Sequence, residues 1–463
     1  MWFPVFVLSL NGCGTFQNAV LENERRVNHV IELQERVSKS VENLAKADVL
    51  QFNEALDLYE LLNIAFENHP QAKIAWHQAL ESAAAKLKTD SAFYPHVDVS
   101  VNAVRAEQLG SAQKVGDSVR MTTATSNMVY PEISVSYSLF KFGAHKAESQ
   151  AALNSLEAAN FRFNQTLQDI ALKVELAYFN LDSALATVDA NRQNLEDAQV
   201  ALDAANDRHA SGLANKQDVL KAQAAYSAAV YDLENSKSAV ETVRANLAAA
   251  IGVNISKNLR ITRVAEEKYP EVDDVEKVIQ EAVARRQDIL AQEKTLDAQV
   301  EKLNARRRDQ YPEIVAGLTA SRKKIQHVNG AYNNFNAYIG VKWNLFDGYS
   351  QMADRLMAYE NVKVAQLQLK SKVIDVTSQV WEHFFAYQSA AHKLDAAKES
   401  ERCAEESFNY TREAYRNGLC SFTDLLTSQN ALSLARRQLV CAKNDLSIEW
   451  MQLAYSTGKI LEK

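Results

Sequence analysis

The feature that most constrains this chain is that it repeats itself. The stretch RHASGLANKQDVLKAQ at 208–223 returns as AYRNGLCSFTDLLTSQ at 414–429, so Gly212, Leu213, Asp218, Leu220 and Gln223 reappear as Gly418, Leu419, Asp424, Leu426 and Gln429, each 206 positions later. The same offset carries Leu139-Phe140 to Leu345-Phe346, Tyr178-Phe179 to Phe384-Phe385 and Gly252 to Gly458. Upstream the offset becomes 217, taking Tyr94-Pro95 to Tyr311-Pro312 and the helix start at His69-Pro70 to Arg286-Gln287. The difference of 11 falls between the paired strands, so the first hairpin has the longer loop, spanning Gln108 to Met128. Such periodicity predicts one architecture built twice rather than a string of unrelated domains.

Each unit contains two stretches of period-two alternation, the mark of half-buried strands. In the first unit the apolar positions are Val97, Val99, Val101, Ala103 and then Ile133, Val135, Tyr137, Leu139; in the second they are Ile314, Ala316, Leu318, Ala320 and Ile339, Val341, Trp343, Leu345. The intervening residues, among them Asp98, Ser100, Asn102, Ser134, Ser136 and Asn344, are polar, and aromatics such as Phe93, Tyr94, Phe140, Phe142, Tyr311, Phe346 and Tyr349 gather at the strand ends.

The rest is predicted helix, as 13 Gly and 6 Pro leave few breaks. From Gly143 to about Ala210 the pattern is unbroken, a length of roughly 100 Å. Val174, Leu181, Val188, Leu195 and Leu202 fall at every seventh position, with Ala177, Ala184, Asn191, Ala198 and Ala205 three residues after each. That is a coiled-coil seam with small residues in alternate layers. Half-length helices are expected at about Gln217–Ala250 and Val275–Arg308. The second unit follows suit with Tyr349–Tyr415 and Asp424–Ser456, and with Glu54–Ala92 as its other half-length partner. The expected organisation is a leader at 1–13, an N-terminal extension at 14–49, the two structural repeats at 50–252 and 274–463, and a connecting equatorial segment at 253–273.

Charge excludes some partners: 51 Lys and Arg against 58 Asp and Glu give a net charge of −7 with interspersed signs, unlike a nucleic-acid surface. No apolar run after the first dozen residues is long enough for a membrane-spanning helix. No catalytic motif, phosphate loop or metal spacing occurs, so neither enzymatic activity nor a cofactor or metal is expected. His77, His209, His383 and His392 fall on helical positions, and the Arg306-Arg307-Arg308 run reads as solvated charge. The N-terminus, MWFPVFVLSLNGCG, ends its apolar run in Leu-Asn-Gly-Cys, which is similar to a bacterial lipobox and makes Cys13 a candidate for lipidation. Cys403, Cys420 and Cys441 show neither disulfide nor metal spacing.

A four-stranded sheet with one apolar and one polar face cannot stand alone. With no other strands to cover it, the apolar face suits lipid and the polar face a lumen, and a lipid-embedded sheet must close on itself. With this double repeat, its strand pairs, NHPQ and RQDI at two helix starts, YP before each first strand and GL-x4-D at each turn, the chain resembles the TolC family of outer-membrane efflux proteins. The resemblance implies a mostly α fold with a small β part, in which a homotrimer makes a twelve-stranded barrel continued by a periplasmic α-barrel. It also implies passive export in a tripartite efflux or type I secretion system, with a periplasmic adaptor, an inner-membrane transporter and outer-membrane lipid as partners. At the hairpin tips it implies adaptor contact at Gly212, Leu213, Gly418 and Leu419. It further implies a periplasmic constriction at Asp218, Tyr415, Asp424, Thr427 and Cys420, closed by a Tyr415–Asp218 hydrogen bond. Cys420 stands where the family has an arginine and Thr427 where it has a second aspartate. Helix capping through Gly212, Gly418, Asn215 and Ser421 is the competing account of the turn motif. A lipid-anchored periplasmic coiled-coil scaffold with no channel is the rival function; it would not need the alternating strands.

Overall fold

The computed structural model describes residues 55–460 except 110–112, 116–117, 121–122, 255–258, 264–268, 271, 273 and 326–330, with backbone only for the strand residues of 106–126 and for 324–325. Cys13, the extension at 14–49, the start of the predicted Glu54 helix, the tip of the long hairpin at Gly116 and part of the connecting segment lie outside the described residues.

In chain order the elements are α1 (Leu58–Asn68), α2 (Pro70–Asp90), β1 (His96–Leu109), β2 (Gln113–Val115), β3 (Ser118–Arg120), β4 (Thr123–Phe140), α3 (Ala144–Ala210) and α4 (Lys216–Ala250). They continue with α5 (Val275–Arg285), α6 (Gln287–Arg308), β5 (Glu313–Ile325), β6 (Ala331–Lys342), α7 (Ser350–Arg416) and α8 (Phe422–Ser456). The fold is mostly helical with a small β part, as the repeat and the scarcity of breakers require.

The predicted half-length helices at Val275–Arg308 and Glu54–Ala92 are each two helices. His69 (φ −63°, ψ 122°) and Arg286 (φ −63°, ψ 128°) are extended and break them. Pro70 disfavours helical geometry at His69, because the proline ring collides with the residue before it. His69 then caps α2, its Nδ1 accepting from the Gln71 N–H at 3.1 Å. Arg286, with no proline after it, is held by side-chain bonds: it is 4% exposed, forks onto Asp288 at 3.0 and 2.8 Å and donates to Gln379 at 2.8 Å. The equivalent glycines press on these two breaks. A Cβ on Gly252 (φ +76°) would lie 2.7 Å from His69 Cα, and one on Gly458 (φ +76°) would meet the Arg285 carbonyl at 3.6 Å.

The two 67-residue helices, α3 and α7, are the spine. Away from the sheet the packing series is α4–α3–α8–α7; nearer it, α2–α3–α6–α7. The α3 seam is buried at Val174, Leu181, Asn191, Ala198, Leu202 and Ala205, all under 10% exposed, and half-buried at Ala177, Ala184, Val188 and Leu195. At mid-height Leu61, Val174, Leu247, Ile251, Leu259 and Met451 join in one core. The connecting segment is tied to this core: Leu56 bridges Ile261, and the Tyr178 and Tyr387 hydroxyls donate to the Thr262 and Pro270 carbonyls at 2.7 and 2.9 Å.

The sheet runs β1–β4–β5–β6, antiparallel throughout. The first hairpin carries its additional length as the β2–β3 ladder. Strands pass to the spine helices through two successive left-handed residues, Phe142-Gly143 in one unit and Gly348-Tyr349 in the other. Left-handed geometry costs a non-glycine residue about 1–2 kcal/mol. Ring packing offsets it, with Phe142 at 4.9 Å from Phe140 and Tyr349 at 5.5 Å from Phe346.

Candidate functional site

Two regions carry the sequence features singled out above: the sheet at one end of the spine helices and the paired hairpin tips at the other. In the sheet, register places the predicted apolar positions on one face across all four strands as far as Tyr137 and Val341; a bulge between Ser138 and Phe140 then pairs Phe140, rather than the predicted Leu139, with Ile314, and Trp343 and Leu345 lie beyond β6. Val99 pairs with Ile133, Ile133 with Ala320 and Ala320 with Phe335; Val97 pairs with Val135, Val135 with Leu318 and Leu318 with Ala337. This face is bare: Val97, Val99, Val101, Ile339 and Val341 are 63–75% exposed. The opposite face aligns Ser100 with Glu132 and Ser321, and Ser134 with Thr319 and Asn336. On that polar face Gly317 admits the Tyr338 ring, whose Cε1 would lie 2.4 Å from any Cβ there. Strands β1 and β6 form the two edges, each with its outer hydrogen-bonding groups unpaired in the sheet.

At the tips each long helix ends in the same left-handed glycine turn. Leu213 N–H donates to Arg208 O at 2.8 Å and Gly212 N–H to His209 O at 3.0 Å; Leu419 and Gly418 repeat this with Ala414 and Tyr415 at 2.8 and 3.0 Å. Gly212 and Gly418 adopt φ of +73° and +75°, and the adjoining Leu213 and Leu419 are 68% and 81% exposed. The capping account is correct in part. Ser421 and Asp424 form a full capping box, which holds the exposed Asp424 carboxyl below its ordinary range, while Asn215 makes no side-chain cap.

Beneath the turns, Tyr415 is 2% exposed and meets Phe422 edge-on at 5.6 Å within a cluster that includes Phe408, Leu425, Ala205 and Val219. The expected Tyr415–Asp218 hydrogen bond is not formed. The Tyr415 hydroxyl has no hydrogen-bond partner among the described residues, and burial, reinforced by the Asp218 carboxylate, raises its pKa. Cys420 is half-buried, donates to Thr411 O at 3.4 Å and has a raised pKa, first through burial and then through Asp424. Thr427 bonds back to Thr423 O at 2.8 Å on an exposed helix face.

Besides the shared apolar cluster and a Lys221–Thr423 bond at 3.5 Å, the hairpins are joined by a residue that the repeat does not reproduce. Arg208 Nη1 donates to Tyr415 O at 2.5 Å and to Arg416 O at 3.3 Å, and its guanidinium lies 4.9 Å over the Tyr415 ring. A Cβ on Gly418 would come within 3.3 Å of that nitrogen, so the glycine gives the arginine its room. The signal lay in a departure from the repeat: Arg208 aligns with Ala414, and His209 with Tyr415.

A family model described as outer membrane efflux protein matches residues 61–253 and 278–459. The chain is 23% identical to nodulation protein T of Rhizobium leguminosarum bv. trifolii over 344 residues, 72% of each chain. It is 20% identical to the alkaline protease secretion protein AprF of Pseudomonas aeruginosa over 424 residues, 88% of this chain and 85% of that one. Among solved structures it resembles the outer-membrane channel OprN with a TM-score of 0.76, 18% identity and coverage of 87% and 89%. It also resembles the outer membrane protein VceC of Vibrio cholerae, with a TM-score of 0.73, 16% identity and coverage of 87% and 96%.

Proposed function

The chain belongs to the outer membrane efflux protein family, and from that premise we propose that it is the outer-membrane channel of a tripartite efflux or type I secretion system. In this role it passively exports substrates handed over by an inner-membrane transporter and a periplasmic adaptor. The protein resides in the outer membrane, with its helices extending into the periplasm. The observation that carries the channel reading is the bare, one-sided sheet with open edges at β1 and β6. In lipid every backbone polar group needs a partner, so such a sheet demands closure with other copies, and four strands are too few to close alone. Three copies supply twelve strands.

The helices support the same closure. The outer members of the packing series near the sheet are α2 and α7, and both expose apolar side chains: Ile74, Trp76 and Leu87 on α2, and Val364, Leu367 and Ile374 on α7. Two unlike faces that meet head to tail generate a ring. Leu213 and Leu419, exposed beside rigid glycine turns, suit adaptor contact, and Arg208 is the tie that holds the two tips of one protomer together in a closed entrance. Lipidation at Cys13 would add a membrane anchor; loss of fatty-acid labelling in Cys13→Ser is its check.

Electrophoresis of unheated detergent extracts of outer membrane tests the reading, followed by planar-bilayer recording of the purified protein. A heat-sensitive trimer band and discrete conductance steps are expected. A chain that migrates as a monomer before heating and carries no current would be a scaffold.

A further inference from the structure

The corner where sheet meets spine holds a groove that export does not use. It encloses about 850 Å³ between the end of α6 and the start of α7. Leu303 and Leu356 supply apolar lining, and Phe142 and Tyr311, with ring centres 5.5 Å apart, line it on the sheet side. Phe142 packs on Phe140, which pairs with Ile314 on the bare apolar face, so the groove is continuous with the surface that meets lipid. Its charge is one-signed: Arg307, Arg308 and Arg355 line it and no carboxylate does. Arg308 is committed to the Gly143 carbonyl at 2.8 Å. Arg307 and Arg355 are exposed, and neither has an ion pair among the described residues. Their neighbour Arg306, by contrast, is paired with Asp309 at 2.9 Å.

We propose that this groove is a binding site for an anionic phospholipid of the periplasmic leaflet, its phosphate held between Arg307 and Arg355 and its chains lying over Phe142 and Tyr311 onto the apolar face. Guanidinium groups match phosphate oxygens two at a time, which an ammonium cannot do. Aromatic rings at this depth sit at headgroup level, so the cations stand where a phosphate would meet them. An oligomer contact on the lateral α2 and α7 faces does not by itself account for the groove, because Leu303, Asn304, Arg307 and Arg308 on its other wall belong to α6.

The inference rests on the placement of the sheet in the outer membrane. The full-length protein, extracted from that membrane in mild detergent, is exchanged into mixed micelles of phosphatidylglycerol or of phosphatidylcholine with the same acyl chains, and retained lipid is counted by native mass spectrometry. Phosphatidylglycerol should be retained at least ten-fold better than phosphatidylcholine. Arg307→Gln/Arg355→Gln should abolish that preference with the unheated oligomer band unchanged, while Arg306→Gln should preserve it. Equal retention of the two lipids by the wild type overturns the site whatever the variants do. So does an undiminished preference in Arg307→Gln/Arg355→Gln, or retention of inorganic phosphate without lipid. Recovery of the protein outside the outer-membrane fraction would overturn the membrane placement as well, so the two failures are distinct.

Discussion

Arg208 and Tyr415, 207 residues apart in the chain, form one unit: the guanidinium of the first hairpin donates to the backbone carbonyl of the second at 2.5 Å and covers its ring at 4.9 Å. A hydrogen bond from a charged group contributes on the order of 1.5–3 kcal/mol, and about 2 kcal/mol corresponds to roughly a thirty-fold shift between closed and open tips. Arg208→Ala should therefore raise resting conductance in planar bilayers, with Arg208→Lys intermediate because an ammonium can reach the carbonyl but lacks the planar face that lies over the Tyr415 ring. Tyr415→Phe removes a hydroxyl that has no partner among the described residues and should conduct like the wild type. Conductance raised equally by Tyr415→Phe would mean that the hydroxyl, and not Arg208, holds the tip.

Two glycines with the same backbone geometry should differ sharply in tolerance. Gly212 and Gly252 both have positive φ, but a Cβ at Gly212 meets nothing within 4 Å while one at Gly252 strikes the His69 backbone at 2.7 Å. Gly212→Ala should cost only the left-handed penalty of about 1–2 kcal/mol. Gly252→Ala should cost several kcal/mol more, since backbone must move. Thermal unfolding followed by circular dichroism compares them; equal melting temperatures would refute the steric account.

The break at Arg286 depends on a buried charge. Its guanidinium forks onto Asp288 and reaches Gln379, and it lies 5.6 Å over the Tyr455 ring. Arg286→Ala leaves the Asp288 carboxylate with the Ile289 N–H at 3.0 Å and the Lys372 ammonium at 3.7 Å, so the loss should fall at the low end of the about 3–5 kcal/mol for a broken buried pair. The double variant with Asp288→Ala should recover part of that loss, as coupled neighbours do. Independent, additive losses in thermal unfolding would show that the pair does not act together.

The break at His69 brings a pH dependence. Burial, and then the Lys173 ammonium, hold its imidazole below the ordinary value of 6.5, and only the neutral ring can accept the Gln71 N–H. A depressed folded pKa means the contribution is complete above about pH 6.5 and is lost as pH falls through the folded value. The melting temperature should drop between pH 7.5 and pH 5, and His69→Asn, whose oxygen accepts at either pH, should flatten that drop. An identical drop in the variant would exclude His69 as its source.

Much of this molecule was legible in residue order. The duplication, the apolar parity of the strands, the coiled-coil seam from Val174 to Ala205 and the left-handed glycines at 212 and 418 are local or periodic properties, and they survive in the structure because backbone geometry alone imposes a period of 2 or 3.6 on side chains; the parity fails at Leu139, where a bulge between Ser138 and Phe140 shifts the register. The break at His69 was written in Pro70; the one at Arg286 was marked only by the repeat, which aligns Arg286-Gln287 with His69-Pro70, because a buried side-chain network rather than a backbone constraint makes it.

By itself the sequence determined that this chain is two copies of one long-helix and strand-pair unit, with a sheet apolar on a single face. Only the tertiary structure decided which groups meet at the tips and the corner. Tyr415 was expected to clasp Asp218 through its hydroxyl, yet Arg208 reaches the Tyr415 backbone instead, and the solvated run at Arg306-Arg307-Arg308 separates into a paired residue, a carbonyl donor and, on a groove, a cation that has no ion pair among the described residues. The physical reason is that a backbone carbonyl carries no residue identity, and the reach of an arginine over a ring 207 positions away is set by how α3 lies against α7 and α8, which no periodicity records.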